Sequence, residues 1–553
     1  MSSPLVGLVQ VGLLILAIGV VYRPLGDYLA HVYTSEKHWR VEKAVYRLVR
    51  IDGDAQQRWT TYAAGVLGFS VMSVALLYLM QRLQPLLPLS FGRGAVDPAT
   101  AFNTAVSFVT NTNWQSYVPE QVLGHTVQMA GLTVQNFVSA AVGMAVAIAL
   151  VRGFAAAGTG RIGNIWVDIT RGCTRVLLPI AVIAAVLLVA LGGAMSLASG
   201  IQVIGLDGQA HTIATAPIAS QEVIKDLGTN GGGVLNANSA HPFSNPGGIS
   251  NLLQIFLILV IPLTLTRTFG TMVGDRRQGR VLLSVMVAIM AVMTAVVWWA
   301  ESHPNGPATL AAGGALEGKE TRFGLFLSGL FAVATTGTST GAVNAMHDSF
   351  TGLGGLVPLL NMLLGEVAPG GVGAGLYGIL VLAVIAVFLA GLMVGRTPEY
   401  LGKKLGRREV TAAALSILVM PTMVLLGAGT ALALPSTQDA LNNTGAHGLS
   451  EVLYAFASAG NNNGSAFAGL TVTSDFFQVA LGIAMLFGRF VPILAVLMLA
   501  GAVAQQQRVP ATAGTLPTTG PLFAGLLGGT VILVAALTFL PALALGPIAE
   551  ALA

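Results

Sequence analysis

The chain has 553 residues, of which 54% are hydrophobic and only 9% charged. A soluble domain carries about 25% charged residues, so the composition excludes a soluble protein and points to many membrane spans. The net charge is +4, but the basic residues sit between apolar segments, so membrane topology accounts for them and no nucleic-acid partner is expected. The single cysteine, Cys173, forbids an intramolecular disulfide.

A bilayer core needs about 20 apolar residues per helix. In chain order that criterion predicts ten spans: 5–22, 60–82, 127–151, 175–197, 249–268, 281–300, 355–395, 410–434, 477–503 and 520–545. The first lacks a preceding basic region and an Ala-x-Ala site, so it reads as a retained helix rather than a signal peptide. The seventh is too long for one helix. Gly365-Glu366-Val367-Ala368-Pro369-Gly370-Gly371-Val372-Gly373 breaks it, since proline and repeated glycine end helices. The connections 23–58, 152–175, 267–280 and 396–408, with Arg508, hold 21 of the 27 Lys and Arg residues. That bias places them in the cytoplasm and both termini outside.

Four polar stretches lie between spans on the outer side: Thr110–Gln115, Gly228–Asn238, Thr335–Gly341 and Gly460–Ser465. Asn113, Gly231, Gly341 and Gly464 recur at intervals of 118, 110 and 123 residues (113 to 231, 231 to 341, 341 to 464). Near-even recurrence of one unusual composition marks an internal repeat. Irregular backbone at membrane depth is tolerated where it is buried in protein or lines a wet cavity. A loop of exposed carbonyls is what a cation needs in order to shed its water. Gly231, within three successive glycines, is expected to hold a backbone conformation that other residues resist. Each stretch follows a short helix-compatible segment, Ala101–Val109, Ser220–Leu227, Gly324–Ala334 or Ser450–Ala459, whose negative end would face the loop and favour a cation. The expected fold is an all-α polytopic membrane protein with four parallel span, pore-helix, filter, span repeats in pseudo-fourfold arrangement. The repeats fall at 59–152, 175–270, 280–396 and 409–505. The first helix with its basic loop (1–58) and the last helix (518–553) flank them.

Several motifs carry a family resemblance. They are Asn-Thr-Asn-Trp-Gln (111–115), Gly-Thr-Asn-Gly-Gly-Gly (228–233) running into Asn-Ala-Asn-Ser-Ala-His-Pro-Phe (236–243), Gly-Ala-Val-Asn-Ala-Met-His-Asp-Ser-Phe (341–350), Asn-Asn-Asn-Gly-Ser-Ala-Phe (461–467) and Gly-Arg-Thr-Pro-Glu-Tyr-Leu-Gly-Lys-Lys (395–404). Together they resemble the potassium-binding subunit of the bacterial Kdp potassium-transporting ATPase, in the superfamily of potassium transporters built from four channel-like repeats. The resemblance implies an inner-membrane subunit of an ATP-driven potassium importer. ATP hydrolysis would lie on a separate P-type ATPase chain, and two small single-span subunits would complete the complex. The bound ion would be K+, with no organic cofactor. It implies K+ ligation by backbone carbonyls of Asn111, Thr112, Thr229, Asn230, Ser339, Thr340, Asn462 and Asn463. Gly231, Gly341 and Gly464 would shape the loops, and Asn113, Gln115 and Asn238 would support the mouth. Asn113 stands where the other loops carry glycine, which makes the ring asymmetric.

Two charged residues fall at membrane depth, where they are costly and mark function. Glu366, in the break of the seventh region, would line a wet passage. Arg489 lies about 18 Å into the ninth span at 1.5 Å per residue, where its charge would repel the next ion and close a straight path. Gly313–Lys319 imitates a phosphate-binding loop, but Glu320 stands where Ser or Thr must bind magnesium. No Asp-Lys-Thr-Gly phosphorylation motif occurs. His241 and His347 lack a second ligand at metal spacing and read as structural. The basic cluster Arg396, Lys403, Lys404, Arg407 and Arg408 is explained by topology as well as by docking. Two rival functions remain: a passive or sodium-coupled potassium transporter of the same superfamily, and a secondary symporter. Symporter sites are expected in inverted repeats, whereas these repeats are parallel.

Overall fold

A computed structural model describes residues 4–304, 311, 313–512 and 514–552. Ten of its helices are long and apolar enough to cross a membrane: Pro4–Thr34, Trp59–Arg82, Val127–Ala155, Ile165–Ala190, Gly248–Met272, Arg276–Ser302, Ala374–Met393, Arg407–Ala433, Asp475–Gln505 and Pro521–Leu552. They match the expected ten in order. The seventh departs most, its spanning helix starting at Ala374 rather than 355, the first runs on to Thr34 rather than 22, and the fourth starts at Ile165 rather than 175. Hydropathy misses its first turns because they carry Asp168, Arg171 and Arg175, which are buried but partnered. Asp168 pairs with Arg152 at 2.6 Å and accepts from the Tyr62 hydroxyl at 3.0 Å, and Arg175 pairs with Glu42.

The seventh region is broken as its sequence requires. Gly352–Leu363 and Ala374–Met393 are separate helices, and the segment between them folds inward. Two antiparallel β-hairpins, Gly200–Ile204 with Ala210–Ala214 and Glu399–Tyr400 with Lys403–Lys404, lie between the helices. A search for apolar spans does not register them.

Four shorter helices carry the site: Pro98–Val109, Ile218–Leu227, Gly324–Gly337 and Gly445–Asn461. The first starts where Asp97 accepts the Ala99 backbone N–H at 3.0 Å and Pro98 pre-sets the first turn. Each is wrapped by long helices. Asp475–Gln505 packs on Pro98–Val109, on Gly445–Asn461, on Arg407–Ala433 and on Val134–Ala155, while Arg276–Ser302 packs on Gly324–Gly337 and on Gly248–Met272.

Val134–Ala155 and Gly248–Met272 are the most enclosed spans, whereas Pro4–Thr34 and Arg407–Ala433 keep most of their apolar surface outward. The inward spans differ in kind. Val134–Ala155 is rich in small residues, Ala140, Ala141, Gly143, Ala145, Ala147 and Ala149. Small side chains let backbones approach inside a membrane, where apolar burial gives no contrast with lipid. That closeness is used at Gly143, where a Cβ would strike the Val372 carbonyl, and at Gly373 (φ +83°), where a Cβ would strike the Gly143 carbonyl. The break of the seventh region is thereby held against the centre of the protein.

Candidate ion filter

Each short helix ends by turning into one polar loop, and the turn is the same four times. The second of the two expected ligand residues in each loop donates its N–H to the carbonyl five residues earlier: Thr112 to Ser107 (2.9 Å), Asn230 to Lys225 (2.8 Å), Thr340 to Thr335 (3.0 Å) and Asn463 to Ser458 (2.9 Å). The residue before it is left-handed in every case: Asn111 at φ +69°, Thr229 at +47°, Ser339 at +52° and Asn462 at +62°. Positive φ is uncommon for any non-glycine residue and a genuine outlier for a β-branched threonine, so four in register indicate a built feature. Because a trans peptide is planar, an N–H aimed back at the helix turns the preceding carbonyl the other way. The carbonyls of Asn111, Thr229, Ser339 and Asn462 therefore point away from their helices.

The loops close into a ring. A Cβ on Gly231 would stand 2.9 Å from the Thr340 carbonyl oxygen, one on Gly341 would strike the Asn463 carbonyl, and one on Gly464 would strike the Thr112 carbonyl. The first and second loops meet through Gly232, whose Cβ would lie 2.8 Å from the Asn113 carbonyl oxygen. Every residue expected to ligate is buried. Of the eight named carbonyls, that of Thr229 accepts from Asn111 Nδ2 at 2.6 Å. The other seven accept no hydrogen bond among the described residues. A buried carbonyl without a donor costs about 1–3 kcal/mol, and a dehydrated cation is one partner that would satisfy several at once.

Gly231 does not behave as expected. Its φ is not in the left-handed region, which instead falls on Gly232 (+65°) and Gly233 (+157°). Gly231 is needed for the close approach of the third loop. Asn113 takes the place of a glycine by adopting φ +59° itself, with its Nδ2 donating to Asn136 Oδ1 at 2.9 Å. Gln115 braces the mouth across loops, and Asn238 braces it within the second loop. Gln115 Oε1 accepts from Gly233 N at 2.8 Å, and Asn238 Nδ2 donates to the Gly232 carbonyl at 2.7 Å. An amide network behind the first two loops joins Asn230 Nδ2 to Asn111 Oδ1 at 2.6 Å and to Asn113 Oδ1 at 3.0 Å.

A cavity lies on each side of the ring. The outer one, about 380 Å³, is lined by Asn113, Gln115, Asn238, Gly341, Gly464 and Ser465, among others. His347 also borders it. Burial first, and the Lys319 charge second, push its imidazole down to about 3, so it is neutral, with Nδ1 2.9 Å from the Tyr454 hydroxyl. The inner cavity, about 120 Å³, is lined by Ser339, Asn462, Glu366, Tyr377 and Arg489, among others. Both charged residues expected at depth thus face one space beneath the ring. Glu366 Oε1 accepts from Asn463 Nδ2 at 2.7 Å, which ties the break to the fourth loop. Arg489 Nη2 donates to the Ser139 carbonyl at 3.3 Å, and the residue is in no salt bridge among the described residues.

Sequence reading missed the remainder of the break. Val372 N donates to Thr229 Oγ1 at 2.8 Å, Gly370 N donates to the Gly337 carbonyl at 2.7 Å, and a Cβ on Gly371 would lie 2.8 Å from Ser339 Oγ. Residues 368–373 thus support the second and third loops from the inner side. The run of glycines was a signal that backbone comes close to something, but not to what.

Residues 12–552 match the family model for the potassium-transporting ATPase A subunit. The chain belongs to that family. A curated relative from Nocardia farcinica, named potassium-transporting ATPase potassium-binding subunit, is 62% identical over 560 residues and is covered in full by the full length of this chain. A relative of the same name from Streptomyces coelicolor is 59% identical over 554 residues with the same complete coverage. Among solved structures, the potassium transporter TrkH from Vibrio parahaemolyticus is similar in fold. Its TM-score is 0.53 at 15% identity, covering 86% of this chain and 97% of that one.

Proposed function

We propose that this chain is the potassium-binding and ion-selecting subunit of an ATP-driven potassium importer in the bacterial inner membrane, with both termini outside. The span, short helix, loop, span units act as four parallel channel-like repeats around one axis. A K+ ion enters the outer cavity, sheds water, and is held by carbonyls of Asn111, Thr112, Thr229, Asn230, Ser339, Thr340, Asn462 and Asn463. The Thr229 carbonyl contributes only when the Asn111 amide releases it. Gly231, Gly341 and Gly464 allow the loops to approach, and Asn113, Gln115 and Asn238 hold the mouth. Below the ring, Glu366 attracts the ion and Arg489 bars a straight exit, so the ion leaves sideways towards a P-type ATPase chain. That chain hydrolyses ATP, and two single-span subunits complete the complex.

What supports this reading most is the repeated turn that aims four buried carbonyls away from four helix ends, with seven of the eight named carbonyls unpartnered among the described residues. The test is co-purification of the chain with its membrane partners, followed by an ATPase assay against K+ concentration. Potassium-stimulated turnover supports the importer. Potassium flux by the chain alone, without ATP and across an unaltered filter, would instead favour a passive transporter.

A further inference from the structure

A cluster on the mouth side of the filter is absorbed by none of the above. Asp348 follows the third loop. His447 and Glu451 stand one turn apart, at i and i+4, on one face of the Gly445–Asn461 helix. One donor atom from each lies within 4.8 Å of the others. Glu451 is completely buried, and its Oε2 has no hydrogen-bond partner among the described residues. Its other oxygen is held by Asn443 Nδ2 at 2.7 Å. Beside the cluster is Gly469, where a Cβ would crowd both Glu451 Oε1 and Asp348 Oδ2. A buried carboxylate oxygen without a donor is costly.

His447 is set as a ligating histidine is set. Its Nε2 faces Asp348 Oδ1 at 3.1 Å, while its Nδ1 lies 2.9 Å from Glu550 Oε1. Metal-binding histidines characteristically give their second ring N–H to a carboxylate, which fixes the tautomer and the ring plane. The stacked Phe467 ring, 6.0 Å away, holds the plane from one side. Three carboxylates surround one imidazole, and the nearby Lys319 is already paired with Glu301 at 2.7 Å. Three carboxylates outnumber one imidazole even when the ring is protonated, which favours a cation.

We propose that Asp348, His447 Nε2 and Glu451 bind a divalent transition cation of the Zn2+ class, with Glu550 orienting the imidazole. One nitrogen and two carboxylates with an open position suit such an ion better than Mg2+. A tetrahedral ion about 2.0–2.2 Å from each donor needs donor separations of roughly 3.5 Å, and His447 Nε2 and Asp348 Oδ1 already stand 3.1 Å apart. The ion staples the segment after the third loop to the fourth short helix. One turn below Glu451, the Tyr454 hydroxyl lies 2.9 Å from His347 Nδ1 and 2.8 Å from Ser465 Oγ, which donates to Asn463 Oδ1 at 2.6 Å. The staple therefore bears on the filter through a short chain of hydrogen bonds.

The test uses the full-length chain in detergent, stripped with EDTA and dialysed against micromolar ZnCl2, with MgCl2 as control. Bound metal is read by mass spectrometry and the melting temperature by intrinsic fluorescence. Wild type should retain one equivalent of zinc and melt a few degrees higher with it. Glu451→Gln, Asp348→Asn and His447→Ala should each lose the equivalent and the shift, while Glu550→Gln should bind about ten- to a hundredfold more weakly. Glu451→Gln is nearly isosteric, so it separates lost binding from lost folding. Zinc retained equally by wild type and Glu451→Gln, or no zinc retained by wild type, overturns the site. Neither result bears on potassium binding.

Discussion

The most exacting test of the filter is a single added methyl group at Gly231. Its backbone is one that alanine can adopt, so the substitution acts through space alone. A Cβ there would lie 2.9 Å from the Thr340 carbonyl oxygen and 3.1 Å from the Gly341 carbonyl carbon, against ordinary contact at 3.4 Å or more. The third loop must recede by about half an ångström, carrying with it a proposed potassium ligand. An interaction with a charged group is worth about 1.5–3 kcal/mol net, and displacing one such ligand forfeits a good part of it, about 1–2 kcal/mol. At 1.4 kcal/mol per decade, K+ should bind about five- to thirtyfold more weakly. Gly341→Ala adds strain, since its φ is +77° and its Cβ would strike the Asn463 carbonyl. It should cost more than Gly231→Ala. Gly365→Ala shares a φ of +81° but meets nothing within 4 Å, so it isolates the dihedral cost from crowding of the ring. The assay is the K+ concentration giving half-maximal ATPase activity in the assembled complex. If Gly231→Ala leaves that value at wild type, the third-loop carbonyl it would displace is not a potassium ligand.

Other outcomes follow from the same geometry. The purified chain alone should show no potassium-stimulated ATP hydrolysis, and turnover by a clean single-chain preparation would end that expectation. Arg489→Met removes a charge whose placement at membrane depth costs at least about 2.5–3.5 kcal/mol. Liposomes carrying it should leak K+ without ATP, and unchanged flux would show that the arginine is not the barrier. In EDTA-treated protein, His447 lies outside the ten spans, and its hydrogen bonds to Asp348 and Glu550 raise its imidazole to about 10. A raised value stabilises the fold fully below the unfolded value near 6.5 and is lost as pH climbs towards 10. The melting temperature should fall across that window, and His447→Ala should flatten the fall. An identical slope in the variant would refute the assignment.

Where the chain crosses the membrane was decided by composition, because lipid forces long apolar helices with every backbone group satisfied inside them. The ten helices, the break at 364–373 and the four short helices could be read from hydropathy and from glycine and proline. The four polar loops were legible for the same reason: Asn, Thr and Gly have no other reason to recur at such spacing between spans. What no local pattern carries is distance across the fold. That Gly231 meets Thr340, that Gly371 lies under Ser339, and that Asp348 meets His447 some hundred residues on are facts of packing, set by which helices lie side by side. Dihedrals were legible only in part. Three glycines in a row promised a left-handed turn, but neighbours in space, not the triplet itself, decided that Gly232 takes it and that Thr229 and Ser339 are forced into it without being glycine.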